Sequence, residues 1–86
     1  MDVHFKEWLI KDSNTWNPAE KRNVLALLRE NPERMVQIIF DNMEGWAFSY
    51  TSATGLAVVD SSQRSDAEEL MEAYRQHFAT ELSLGT

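Results

Sequence analysis

The chain has 86 residues, enough for one domain and too few for two. Apolar residues make up 43% of it, and three Trp, four Phe and two Tyr supply aromatic surface to bury, a composition that argues against disorder. There is no cysteine, so a disulfide framework and a thiolate metal site are excluded, and the net charge of −6 disfavours nucleic acid or an anionic membrane as a partner.

That charge is unevenly placed. In residues 1–30 five acids (Asp2, Glu7, Asp12, Glu20, Glu30) cancel five bases (Lys6, Lys11, Lys21, Arg22, Arg29). Residues 31–86 hold nine acids against Arg34, Arg64 and Arg75, and so carry the whole −6. An acidic half of this kind suits a basic protein surface, or simply keeps a small domain in solution.

The opening Met1-Asp2-Val3-His4-Phe5-Lys6-Glu7-Trp8 is acidic early and interrupted by charge, unlike the basic-then-apolar pattern of a secretory leader. No apolar run approaches the roughly 20 residues that cross a bilayer. The expectation is an intracellular, cytoplasmic protein. A first helix is read over Val3 to Lys11, with Phe5, Trp8 and Leu9 inward.

The dipeptide Asn-Pro occurs twice, at Asn17-Pro18 and Asn31-Pro32. Asn is a good N-cap, and Pro suits the first helical position because its missing N–H would have no partner there. The first site opens a helix to about Glu30, with Glu20 at the capping-box position and Val24, Leu25, Leu27 and Leu28 on one side. The second opens a helix over Pro32 to Met43, on which Met35, Val36, Ile39, Phe40 and Met43 share a face. Gly45 is placed to end it at C′. Because Val36, Ile38 and Ile39 are β-branched, the alternative is that residues 35–41 form a third antiparallel strand.

From Trp46 the period becomes two. Trp46, Phe48 and Tyr50 alternate with Ala47, Ser49 and Thr51, which predicts a strand with one buried face. Ser52-Ala53-Thr54-Gly55 supplies a turn and Leu56 to Val59 a return strand, making a β-hairpin. After a polar connection over Ser61 to Ser65, Ser65 and Glu68 form a capping box. The helix behind it carries Ala67, Leu70, Met71, Tyr74, Phe78 and Leu82 at helical spacing, and ends before Gly85. The expected fold is therefore α+β and mostly helical, in the order α-α-α-β-β-α. It forms one domain over residues 1–86, with 83–86 a frayed tail.

No chemistry is legible. The three glycines lie too far apart for a dinucleotide or phosphate loop, and His4 and His77 sit at opposite ends of the chain without ligand-spaced neighbours. Asp41-Asn42-Met43-Glu44-Gly45 lacks the calcium-loop pattern, and no Gly-x-Ser-x-Gly elbow presents a serine to His77. The expectation is a non-enzyme that uses no cofactor and no metal.

Interface features are easier to name. Asp66, Glu68, Glu69 and Glu72 make one acidic patch on the last helix. Trp16 stands in a polar stretch just before a helix, either as a hydrophobic staple packed near Arg22 or the residues around it, or as an exposed anchor for a partner. The Trp46-Phe48-Tyr50 stripe could stack on bases, but no basic residue interleaves it, so core is the better reading.

These features favour a small acidic protein-binding domain, an inhibitor or adaptor of a larger protein. By analogy of size and charge alone, one version is a phage-type counter-defence protein that blocks a basic nucleic-acid-binding surface inside a host bacterium. The alternative is a winged-helix-like transcriptional regulator or nucleic-acid-binding protein, with Pro32 to Met43 as recognition helix and Ser52 to Gly55 as wing tip. A homodimer paired through a hairpin edge is compatible with either.

Overall fold

Both Asn-Pro dipeptides start helices by the same device. The Asn17 side-chain oxygen accepts from the Glu20 N–H at 2.8 Å, and the Asn17 side-chain amide donates to the Glu20 carboxylate at 2.8 Å. The Asn31 side chain accepts from the Arg34 N–H at 3.3 Å. Asn31 is at once the last cap of one helix and the first cap of the next, a one-residue corner.

The computed structural model describes residues 1–59 and 63–84, and every regular element among them is helical. Helix α1 (Val3–Asp12) runs into a 3-10 turn (Ser13–Thr15), followed by α2 (Pro18–Glu30), α3 (Pro32–Thr54), α4 (Arg64–His77) and α5 (Ala79–Leu84). The expected α+β class is thereby overturned. No strand occurs among the described residues, neither a hairpin over 46–59 nor a third strand over 35–41. Part of the polar connection read over Ser61 to Ser65, and residues 85–86 of the tail read over 83–86, lie outside the described residues; Ser83 and Leu84 are the last residues of α5.

The reason lies in α3, which is twice as long as its sequence pattern suggested. Trp46 and Tyr50 are four residues apart, so the same pair that alternates along a strand also stacks on one helical face. That face continues Met35, Val36, Ile39 and Met43, which are buried with Tyr50. Phe48 has no place on it and stands 75% exposed. Phe40, at the edge of the stripe, is 36% exposed.

Gly45 does not stop the helix, because nothing forces its backbone into the left-handed region. Gly55 does, at φ 75°, and its N–H closes on the Thr51 carbonyl at 2.8 Å. The residues read as a hairpin turn are thus the last turn and cap of α3.

Helix α3, 23 residues and therefore about 34 Å long, extends along most of the molecule's 40 Å length. Helices α1, α2 and α4 all pack on it. Pairs from Met1 with Asp66, Lys6 with Glu69 and Asn14 with His77 show α1 and α4 lying side by side in the same direction. Their inward residues Phe5, Leu9, Ala67, Leu70 and Tyr74 meet the α3 face in a single core.

The expected cap of α4 at Ser65 is also overturned. The Asp66 and Ala67 N–H groups already bond the Gln63 carbonyl, so Gln63 is the cap and Ser65 lies inside the first turn. The single terminal helix is broken at Phe78, where φ −101° and ψ 20° leave helical values. The break turns α5 towards α2, where Arg29 donates to the carbonyl of Glu81 at 2.8 Å and Lys21 pairs with the Glu81 carboxylate at 3.4 Å.

Candidate functional site

Helix α2 is the least covered of the four long helices. Only Leu28 on it is buried, while Val24, Leu25, Ala26 and Leu27 are half-buried. It leaves the Asn31 corner as one arm of a hairpin whose other arm is α3. Between the arms lies an open, mainly apolar groove of about 880 Å³. Val24, Leu27, Met35, Ile38 and Trp46 form its walls, and Trp16 and Tyr74 close it towards α4. Exposed Glu20, Asn23, Glu30 and Arg34 rim it.

Trp16 reaches this groove through tertiary packing. Its ring centroid lies 5.4 Å from that of Tyr74 and 5.7 Å from that of Phe78. The rings of Tyr74 on α4 and of its boundary residue Phe78 flank it, and it also lines a small cleft with Pro18 and Lys21 at the start of α2. The same Phe78 ring carries the Lys21 ammonium 5.6 Å from its centroid. Trp16 is half-buried, so part of the indole remains available at the groove wall. Burial, and after it the charge of Asp12, raises the pKa of the Tyr74 phenol, which therefore stays neutral beside the groove.

The acidic patch on α4 divides on inspection. Asp66 is only 8% exposed and takes the Met1 ammonium at 3.3 Å. Glu69 takes the same ammonium at 3.5 Å and Lys6 at 3.4 Å. Glu72 pairs with Arg75 at 3.7 Å, and exposed Glu68 borders a cleft with Glu33, Arg64 and Glu72. Two of the four carboxylates therefore fasten α1 to α4. Desolvation pushes the Glu69 carboxyl upward, but the N-terminal ammonium and Lys6 outweigh it and hold its pKa below the ordinary value.

The groove carboxylates differ. Among the described residues Glu30 has no ion-pair partner, and Glu20 has only the Asn17 amide. Sequence reasoning placed Glu20 in a cap and Glu30 at a helix end; their shared rim depends on how α2 folds back on α3. The one signal that could have indicated the groove was the breadth of the α2 apolar stripe.

His77, exposed on α4, contacts Asn14 through Nε2 at 3.2 Å and lies edge-on to Phe78. Among the described residues no three His, Cys, Asp or Glu side chains converge as a metal site. No helix there is long and apolar enough to cross a membrane. Compared with protein-family models, curated proteins and solved structures, the chain shows no significant match to any.

Proposed function

We propose that this chain is a small acidic protein-binding domain, an inhibitor or adaptor that grips a protein partner in the α2–α3 groove. The observation that carries this reading is the groove itself: apolar walls with three aromatic side chains, and a polar rim whose carboxylates are not neutralised from within. An apolar centre with a charged margin is how protein interfaces are built, and Trp and Tyr are the usual anchors. The rim and the net charge of −6 favour a basic partner surface over nucleic acid.

The winged-helix form of the regulator reading loses its wing, because no hairpin occurs among the described residues. Its wing tip, Ser52 to Gly55, is the end of α3, and the outward face of its Pro32 to Met43 helix offers Arg34 beside exposed Glu33, Asp41 and Glu44. Pairing through a hairpin edge disappears for the same reason.

The test is capture from a native extract with the intact chain, followed by calorimetry on the protein recovered. Ala26→Trp fills the groove from a half-buried position in its lining; Phe48→Ser alters an exposed site outside that lining. With both folds verified by circular dichroism, a stoichiometric protein partner should be lost with Ala26→Trp and kept with Phe48→Ser. Equal binding to both variants, or recovery of nucleic acid alone, would overturn the proposal.

A further inference from the structure

We infer that the occupant of the α2–α3 groove is a short amphipathic helix with basic residues on its margins, an inference that rests on the protein-binding reading above. Three observations lead to it. The first concerns hydrogen bonding. Both long walls are helices, whose backbone groups are paired within themselves, so they offer no ladder to an extended peptide. An extended segment laid on Val24, Leu27 and Ile38 would lose water from its N–H and C=O groups without replacement. A helical segment brings its backbone already satisfied, which is the helix-in-groove mode of recognition.

The second is length. Glu20 and Glu30, both on the rim, are ten positions apart on α2, about 15 Å at 1.5 Å per residue. That matches about three turns of a ligand helix, whose side chains at i, i+3 or i+4, and i+7 would fall between the walls.

The third is charge. The carboxylates at the two ends of this span have no ion-pair partner among the described residues. Lys21, next to Glu20 in the chain, is held by Glu81 at 3.4 Å. Among the described residues Arg34 is the only base on the rim. Basic side chains at the two flanks of the ligand would meet Glu20 and Glu30, and the faces of Trp16 and Trp46 also favour a cation.

The experiment uses two synthetic peptides of about four turns, or about 14 residues. They share a leucine face and carry either lysine or glutamate on the polar face. Binding is read by calorimetry and by tryptophan emission. The lysine peptide should bind one to one, and about tenfold or more weaker to Glu20→Gln/Glu30→Gln, a loss of about 1.4 kcal/mol or more. Glu7→Gln/Glu44→Gln removes the same charge from exposed positions off the groove and should leave affinity unchanged. Equal binding of both peptides would overturn the basic specificity while leaving groove docking intact. Equal weakening by the two double variants would reduce the binding to bulk attraction and overturn the inference. Binding of neither peptide would overturn it too, with the protein-binding reading still decided by the extract experiment.

Discussion

Phe5 meets Tyr50 edge-on, with ring centroids 5.5 Å apart and an interplanar angle of 70°. Trp8 approaches the same ring from one turn further along α1, at 5.6 Å and 76°. This cluster ties the start of the chain to the far half of α3. It gives Tyr50 a buried site that exists only if residues 46–54 are helical. Truncating Phe5 or Tyr50 to Ala should cost about 3–5 kcal/mol in denaturant unfolding. Phe48→Ser should be nearly neutral, because that ring is already 75% exposed. A large loss from Phe48→Ser would contradict the orientation of α3.

The two interior glycines should respond in opposite directions. Gly45 is helical, and a Cβ there meets nothing within 4 Å. Gly45→Ala should stabilise the protein by about 0.5–1 kcal/mol, since Gly is poorer than Ala in a helix by that amount. Gly55 holds φ 75°, where an L side chain is strained. Gly55→Ala should destabilise by about 1–2 kcal/mol, and the urea midpoints of the two variants should move apart.

Stability should fall at both ends of the pH scale through the contacts that fasten α1 to α4. Hydrogen bonding and charge from Asp66, followed by the charge of Glu69, raise the pKa of the Met1 ammonium above its ordinary value of 8.0. A raised value means the contribution is complete below pH 8.0 and is lost as pH climbs through the folded pKa. The Glu69 carboxyl lies below its ordinary 4.5, so its contribution is present above that pH and disappears on acidification through the lowered value. In urea titrations across pH, Glu69→Gln should flatten the acid limb and Asp66→Asn the alkaline one. Unchanged profiles would show that these pairs do not contribute.

Reversing the acidic patch should divide its members. Glu69→Lys places a third positive charge beside Lys6 and the Met1 ammonium, and should lower the melting temperature by the equivalent of roughly 1 kcal/mol or less, as expected for an exposed pair. Glu68→Lys, at an exposed position with no ion pair among the described residues, should leave stability unchanged. Equal melting of the two variants would remove the fastening role assigned to Glu69.

Phe78 supports Trp16 as well as the core. At 3% exposure its truncation to Ala should cost about 3–5 kcal/mol. Because the indole of Trp16 then keeps only Tyr74, tryptophan emission of the folded variant should move to longer wavelength. An unaltered spectrum would mean that Phe78 does not hold the indole.

How much of this was legible in the residues follows their range of interaction. The starts of α2 and α3 at Asn17-Pro18 and Asn31-Pro32 could be read directly, because a cap is made by atoms three residues apart. The inward residues Phe5 and Leu9 on α1, and Leu70, Tyr74 and Phe78 on the last helix, could be read as well, since burial repeats with the helical period. The stretch Trp46 to Thr51 could not. Its alternation fits a strand and its four-residue spacing fits a helix, and local preference does not separate the two. The decision came from Phe5 and Trp8, more than 40 residues away in sequence, which bury Tyr50 on the helical face. Long-range packing likewise drew Asp66 and Glu69 into holding α1, seated Trp16 on Tyr74 and Phe78, and left α2 half-covered beside its groove. The Asn-Pro caps and the inward faces of α1 and the last helix depend on a few neighbouring residues, so the sequence alone determined them; how far α3 runs, which faces meet, and which one stays open, only the tertiary structure decided.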